Sequence, residues 1–253
     1  MIEFRLESWA AMAPGLQTKE AWRDWLLHPE RIDSPLGKVS LKQIPPLLRR
    51  RFSPLGKCAM GAILPILEDG ESIPSIFASR HGDTELSLSL QKDMGLDEPM
   101  SPTGFSLAVH NAVSGLFSIA RKDTSEITSI SAMEALVLQA LLEAVGQLQV
   151  SARVLCVVYD MPLPEPFSRF TKGDQFPYAI AMILSQTTGD SYSIEQCGNI
   201  NDIIEPPSVS KPINSELKQI NSEPLRFLQL LTDISSATDS QLNGASWRIA
   251  KVK

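Results

Sequence analysis

The sequence predicts an α/β protein, because segments typical of strands alternate along it with segments typical of helices. The clearest strand is at residues 152–159 (ARVLCVVY), an almost continuous apolar run of the kind found in strands covered on both faces. The clearest helix is at residues 133–148, where apolar side chains occupy most faces, as expected of a buried helix. Together these segments predict helices packed on a buried sheet.

The N-terminal part predicts a strand, a loop and a capped helix. Residues 2–6 (IEFRL) alternate apolar and polar side chains, which indicates an opening strand, and residues 9–15 (WAAMAPG) are expected to form a loop. Thr18 is a candidate N-cap for a helix over Lys19–Leu27, whose apolar residues share one face.

A second helix is predicted to begin at Ser53-Pro54, a capping residue followed by a proline suited to the first helical position. Pro65 is expected to kink or end it. Further strands are expected at residues 73–79, 127–131, 178–184, 192–196 and 246–252. Further helices are expected at residues 83–94, 106–120 and 225–231. The Pro-, Ser- and Asn-rich residues 199–224 are typical of a linker or long loop.

Composition narrows the class of function. The chain has 253 residues, 43% of them hydrophobic, and a net charge of −6, which argues against nucleic-acid binding as the main role. Cys58, Cys156 and Cys197 form no metal-ligand spacing, so no metal is expected, and free thiols fit a cytoplasmic protein. We expect no membrane span, since no apolar run is long enough, and no signal peptide at the N-terminus.

The turn between the strand at 127–131 and the following helix is the most informative feature. A cysteine at a helix N-terminus has a lowered thiol pKa, and the nearby backbone N–H groups can stabilise an oxyanion. Here the turn is Ser131-Ala132-Met133-Glu134, which contains no cysteine. A thioether does not form a thioester, so this turn offers no thiol nucleophile.

Five sequence pieces in a fixed order identify a family. WAAMAPGL, PPLLRRRFSPLGKCAM, FASRHGDTELSLSL, SPTGFSLAVHNAVSGLFSIA and ITSISAMEA resemble those of the β-ketoacyl synthase N-terminal-like family. The resemblance is closest to chain length factor subunits of aryl polyene, type II polyketide-like biosynthesis. It implies a thiolase-like fold: the single N-terminal half of a ketosynthase, layered α/β/α, with a short C-terminal extension. We expect this half at residues 1–198, a linker at 199–224 and the extension at 225–253.

The resemblance also implies where the functional residues lie. Met133 and Glu134 occupy the nucleophile position, so we expect no catalytic residue on this chain. Residues implied to bound or gate a partner's acyl tunnel are Thr84, Leu88, Gly104, Phe105, Ala108 and Ser114. Residues implied to pair across a dimer axis are Ile127, Thr128, Ser129, Ile130, Ser131 and Ala132.

Several of these residues have a plainer interpretation. Glu134 is either a first-turn carboxylate of the helix or an acid or base beside a partner's acyl chain. Phe105 is either a tunnel wall or part of the core, and the strand at 127–131 is either an interface or an ordinary interior strand. The run Arg49-Arg50-Arg51 is either a solvated helix end or a surface for an acidic carrier protein. His28, His81 and His110 fit core or interface roles better than catalysis.

The sequence therefore predicts a non-catalytic chain length factor. It would form a heterodimer with an active β-ketoacyl synthase and shape the tunnel during polyene elongation on acyl carrier protein, which it would contact indirectly or weakly. No cofactor is expected. The alternatives are a stand-alone decarboxylase or acyltransferase that uses carrier-protein substrates, and a scaffold that stabilises the partner without shaping its tunnel.

Overall fold

The computed structural model describes residues 1–32, 35–165, 167–170, 176–199 and 222–252. In this part of the chain, eight strands form one sheet in the order β3-β2-β4-β5-β1-β6-β8-β7. The strands are β1 (Ile2–Met12), β2 (Ser75–Ala78), β3 (Ile127–Ile130), β4 (Arg153–Asp160), β5 (Tyr178–Ser185), β6 (Asp190–Asn199), β7 (Ala237–Leu242) and β8 (Ala245–Lys251). Most of the predicted linker, residues 200–221, lies outside the described residues.

Helices cover both faces of this sheet. They are α1 (Lys19–Leu27), α2 (Pro46–Arg49), α3 (Pro54–Ile63), α4 (Thr84–Gly95), α5 (Pro102–Leu107), α6 (Ala112–Arg121), α7 (Leu136–Gln147) and α8 (Glu223–Leu231). Helices α1, α7 and α8 contribute to the core on one face, and α3 and α6 contribute to the core on the other. The architecture is therefore a layered α/β/α arrangement.

Strand β4 shows how the sequence pattern produces this arrangement. Its alternate residues Val154, Cys156 and Val158 face the core of α7 and α8, whereas Leu155 and Val157 face the core of α3 and α6. All eight residues of the neighbouring β5 are buried as well. The prediction of a central strand covered on both faces is confirmed.

The strands with parallel partners lie at one end of the sheet. Strand β2 pairs in parallel with both β3 and β4, while the pairs β4–β5, β5–β1 and β1–β6 are antiparallel. Because parallel strands end on the same edge, the residues that follow β2, β3 and β4 are neighbours. This edge carries the predicted functional turn.

Two helix starts follow the predicted capping rules. The Thr18 hydroxyl accepts a 3.1 Å hydrogen bond from the Ala21 amide, and the Ser53 hydroxyl accepts one of 3.3 Å from the Gly56 amide. Helix α3 ends at Ile63, two residues before Pro65. These predictions are confirmed.

The loop predicted at residues 9–15 is partly wrong. Strand β1 continues to Met12, and Ala10 and Ala11 pair with Ala181 and Ile180 of β5. The central position of β1 between β5 and β6 favours extended backbone over the loop that Pro14 and Gly15 suggested. The polar strand β7 was not predicted because its alternation is weak.

The helix predicted at residues 106–120 is two helices. Ser101 caps α5 by accepting a hydrogen bond from the Gly104 amide, and α5 then ends at Leu107. The connection to α6 is held by His110, whose Nε2 lies 2.9 Å from the carbonyl oxygen of Ser79. That contact joins residues 31 apart in sequence, so local periodicity could not reveal it.

Candidate functional site

The turn between β3 and α7 places two exposed side chains where the resemblance expects a nucleophile. Ala132 is buried, while 62% of Met133 is exposed and Glu134 is exposed as well. Ala135 then adopts a left-handed conformation with a φ of 50°, and α7 begins at Leu136. The helix thus begins three residues later than predicted, because the backbone reverses sharply before it.

None of the three cysteines is near this turn in the sequence, and two are inert by environment. Cys58 and Cys156 are buried in the core clusters. Burial raises the pKa of the Cys156 thiol to about 12 and raises that of Cys58 further. Because the thiolate is the nucleophilic form, neither thiol is suited to acyl transfer.

The N-terminus of α7 is occupied by a carboxylate from the C-terminal part of the chain. Glu223 accepts hydrogen bonds from the Val137 amide (3.1 Å) and the Leu138 amide (3.2 Å), one on each carboxylate oxygen. The buried Ser240 of β7 donates a third, at 2.7 Å. One side chain therefore joins α7, α8 and β7.

This arrangement has two consequences. The amides of a helix N-terminus can stabilise an oxyanion only while they are free to donate to it, and Val137 and Leu138 already donate to a carboxylate.

The interpretation of Glu134 as a first-turn carboxylate is wrong, since Glu134 precedes α7 and Glu223 supplies the negative charge. The sequence signal for Glu223 was slight: an acid after Ser222 and before Pro224 at a helix start.

Strand β3 forms the edge of the sheet in the described part of the chain. It pairs in parallel with β2, from Ser75 opposite Ile127 to Ala78 opposite Ile130, and no strand pairs with its other side. The interpretation of this segment as an ordinary interior strand is therefore wrong. An edge strand presents unpaired backbone N–H and C=O groups that can pair with another chain.

The predicted interface residues also make side-chain contacts within the chain, and Ile127 and Ile130 pack against the two core clusters. Thr128 accepts a 2.8 Å hydrogen bond from Gln147, and the Ser129 and Ser114 hydroxyls lie 3.1 Å apart. Ser131, just after β3, donates a hydrogen bond to the Arg80 carbonyl. Ser129 and Ser131 are exposed, whereas Ile127, Thr128 and Ile130 are partly buried.

Helices α4 and α5 present an apolar surface that is not covered within the described residues. Phe105 is 65% exposed, so its interpretation as plain core is wrong. Its large apolar neighbours in sequence are also exposed: Met94, Leu96, Met100 and Val109. We call this set, with Phe105, the α4–α5 surface. Five exposed large apolar side chains within 16 residues of sequence are typical of a surface that another molecule covers.

The other predicted tunnel residues are distributed around this surface. Thr84, Leu88, Gly104 and Ala108 are partly buried, and Gly104 packs close to Leu90 of α4. Ser114 is buried and donates a hydrogen bond to the Asn111 carbonyl. It therefore lies behind β3, next to the predicted interface residue Ser129.

A buried ionic network holds the loop that links β2 to α4. Asp160, at the end of β4, accepts hydrogen bonds from the Ser79 hydroxyl (2.9 Å), the Arg80 amide (3.0 Å) and the Arg80 guanidinium (2.9 Å). Tyr178 donates to the same carboxylate at 3.3 Å. Sequence reasoning treated Asp160 only as the end of a strand, although an acid that ends a wholly apolar run is a signal for such a partner.

His81 lies beside this network. Its pKa is lowered, first because burial penalises the imidazolium and also because of the nearby Arg80 charge, while Asp160 acts in the opposite direction. His110 bridges to the same loop through the Ser79 carbonyl. These contacts fix the geometry of the residues that precede α4.

The described residues contain no cluster of three or more His, Cys, Asp or Glu side chains able to hold a metal ion. Across the same residues, the helices are too short or too polar to cross a bilayer.

The chain belongs to the family described as "Beta-ketoacyl synthase, N-terminal domain", whose model matches residues 22–248. No curated protein matches the chain. The fold is that of the thiolase-like N-terminal half of a ketosynthase, as the resemblance implied.

Solved structures give the same fold. One chain of the complex between the ketosynthase ApeO and its chain length factor ApeC from Xenorhabdus doucetiae matches with a TM-score of 0.78 and 25% identity, over 99% of this chain and 100% of that one. The ishigamide ketosynthase/chain length factor matches with a TM-score of 0.60 and 14% identity, over 80% and 69%. The AntDE:AntF complex, a type II carrier protein with its ketosynthase, matches with a TM-score of 0.55 and 16% identity, over 79% and 71%.

The Glu223 contact predicts a stability effect. We expect Glu223→Ala to reduce the free energy of unfolding by about 1–3 kcal/mol, because two amides and a buried hydroxyl lose their charged partner. Urea denaturation of the purified chain, or of its complex, measures this difference. Glu134→Ala, which removes the exposed carboxylate of the same turn, is the control, with an expected change within about 0.5 kcal/mol. Equal losses in both variants would contradict the assignment.

His81 predicts a pH dependence. Since its pKa is lowered in the folded chain, the unfolded chain binds a proton more readily as the pH falls through about 6.5, so this contribution to stability is present above that pH and is lost below it. We expect His81→Gln to flatten the decline of unfolding free energy between about pH 7 and pH 5. His28→Gln, at an exposed position, is the control. An unchanged profile for His81→Gln would disprove the effect.

Proposed function

We propose that this chain is the non-catalytic, chain-length-determining partner of an active β-ketoacyl synthase. The observation that carries the proposal is the turn before α7: it has no thiol, and the first amides of α7, those of Val137 and Leu138, already donate to Glu223. A condensing enzyme requires both features on one subunit, so the chemistry belongs to the partner.

Two surfaces support a heterodimer. The free edge of β3 offers backbone groups for pairing, and its hydroxylated residues permit close approach of a second chain. The α4–α5 surface exposes Phe105 and its neighbours, which favours burial against another protein. Strand β3 leads into the turn before α7, and Ser131 of that turn donates a hydrogen bond to the Arg80 carbonyl in the loop before α4. We therefore propose that one partner covers both surfaces and the turn.

The similarity to the ApeO–ApeC complex also supports this proposal. The matching chain aligns over its full length, and its complex is that of a ketosynthase with a chain length factor. We extend this likeness to a role in polyene chain elongation on an acyl carrier protein.

The proposed way of setting chain length is steric. The recess beside the α4–α5 surface, lined by Leu86, Leu107 and Val109 among others, has a cavity volume of about 20 Å³, enough for about one water. An acyl chain would therefore need a second subunit to complete its tunnel. Phe105 would bound the chain at the boundary between the subunits, and its size would oppose further extension.

The alternatives require features that this turn lacks. A stand-alone acyltransferase of the thioester type needs a thiol nucleophile, and Met133 and Glu134 supply none. A scaffold that leaves the tunnel unchanged differs from our proposal only in product length, which the second experiment below measures.

The first experiment tests the interface. We expect Ser129→Arg to weaken association with the co-expressed ketosynthase by about a hundredfold or more, because an unpaired charge in a closed interface costs about 3 kcal/mol or more. Size-exclusion chromatography and titration of the purified subunits measure this. Ser129→Ala removes the same Ser114 contact without adding charge and should leave the complex intact. Equal behaviour of the two variants would exclude β3 from the interface.

The second experiment tests the steric mechanism. We expect Phe105→Ala in the reconstituted pair to shift the product distribution to longer chains by at least one extension step, because the wall recedes. Liquid chromatography with mass spectrometry measures the distribution. Val150→Ala, which truncates a residue that is 84% exposed after α7, is the control. Unchanged products in a fully formed complex would favour the scaffold.

A further inference from the structure

Helix α5, which carries Phe105, is only weakly attached to the rest of the fold. None of its residues is buried, and residues 96–100, which lead into it, are exposed. Across the described part of the chain, the hydrogen bonds that α5 forms are local, such as the one between the Gly104 amide and Ser101. Gly104 packs on α4 and Leu107 on the core near α3, but neither contact is a directional bond. The position of α5 therefore depends on how its ends are held.

His110 holds the C-terminal end of α5 through a hydrogen bond to a distant element. Its Nε2 atom lies 2.9 Å from the carbonyl oxygen of Ser79, the residue after β2. A carbonyl oxygen only accepts, so Nε2 carries the proton and donates it. Gly82, with a φ of 60°, packs against the same ring, because a Cβ at that position would lie 3.3 Å from the Cδ2 atom of His110. The hydrogen bond and this close approach together fix the imidazole.

Ser79 is a rigid anchor for this bond, because each of its polar groups has a partner. Its amide donates to the Ile130 carbonyl of β3 at 3.1 Å, and its hydroxyl donates to Asp160 at 2.9 Å. The hydroxyl also accepts from the Gly82 amide at 3.0 Å, and the whole residue is buried. Since Asp160 ends β4, Ser79 is joined to β2, β3 and β4, the three parallel strands of the sheet. His110 thus connects the end of α5 to the most firmly held part of this edge.

We propose that His110 is a positioning residue for product length. By donating to the Ser79 carbonyl it fixes the end of α5, and with it the place at which Phe105 bounds the acyl chain. This inference rests on the proposed function, and it names a residue that acts through the tunnel wall without forming it. Only four residues separate Phe105 from His110. Without the bond, α5 has few contacts that resist displacement, so an extending chain would push the wall back.

A general role in folding predicts a different outcome. Helix α6, which follows His110, is attached to the core through the buried side chains of Val113, Leu116 and Phe117. Its position does not depend on the His110 hydrogen bond. Loss of that bond should therefore be felt in α5, where nothing is buried, and should leave α6 and the sheet in place.

Two amide variants that differ by one methylene group test the inference in the reconstituted heterodimer. His110→Gln places a donor where Nε2 lies, whereas the shorter amide of His110→Asn does not reach the Ser79 carbonyl. We expect His110→Asn to raise the ratio of the next longer product to the main product about 3–10-fold, the factor that one ordinary hydrogen bond controls. His110→Gln should keep this ratio within about twofold of that of the unaltered protein. Liquid chromatography with mass spectrometry measures both ratios.

A double variant tests whether His110 acts through Phe105. If it does, Phe105→Ala/His110→Asn gives the same products as Phe105→Ala alone, because the wall that His110 positions is already gone. Additive shifts from the two substitutions would overturn the inference. Unchanged products in His110→Asn, or equal shifts in the Asn and Gln variants, would overturn it as well.

Hydrogen exchange of the backbone amides gives a second measurement. We expect His110→Asn to speed exchange about 3–10-fold in residues 101–109 and to leave exchange in β2 and α6 unchanged. The comparison can be made on this chain by itself, so it also decides the case in which His110→Asn no longer binds the ketosynthase. Faster exchange confined to residues 101–109 supports the inference. Unchanged exchange there, or faster exchange throughout the sheet, overturns it.

The same preparations distinguish this inference from the proposed function. If the heterodimer forms and Phe105→Ala lengthens the products, but His110→Asn does not, the inference fails and the proposed function stands. If neither variant changes the products of an intact heterodimer, the steric mechanism fails together with the inference. If no heterodimer forms with any ketosynthase, the proposed function itself fails.

Discussion

The contact between Glu223 and the N-terminus of α7 is the constraint on which the rest of the structure depends. A buried helix start leaves backbone amides that need a partner, and in this chain an internal carboxylate satisfies them. The same carboxylate binds Ser240, so it also ties α8 and β7 to the main layers. The start of α7 is thereby stabilised from within the chain, and the amides of Val137 and Leu138 are not free to donate to another group.

Two surfaces near this turn, the edge of β3 and the α4–α5 surface, are exposed in the structure. Among the residues that the structure describes, no strand pairs with the outer edge of β3, and the α4–α5 surface exposes Phe105 and four other large apolar side chains. Such features cost solubility and stability in an isolated protein and are retained where another chain covers them. The Asp160 network fixes the loop before α4 and so sets the position of that surface. Two carboxylates, the partly buried Glu223 and the buried Asp160, therefore hold the start of α7 and the loop before α4 in place.

The sequence predicted the elements whose signals are local. The continuous apolar run of β4, the caps Thr18 and Ser53, and the absence of a thiol after β3 could all be recognised from neighbouring residues. The break between α5 and α6 could not, because His110 meets a carbonyl on a distant loop. The role of Glu223 was equally hidden, since 85 or 86 residues separate it from the amides that it binds. The lack of a cysteine in the turn after β3 could therefore be predicted from the sequence. The Glu223 carboxylate at the start of α7 could not.

The most direct test of the central claim is the intact mass of each subunit after the reconstituted pair is incubated with acyl carrier protein bearing an acyl group. We expect the acyl group on the ketosynthase alone, with this chain at its unmodified mass even when Glu223 is replaced by Ala. A covalent acyl adduct on this chain, mapped to any residue between β3 and α7, would contradict the account.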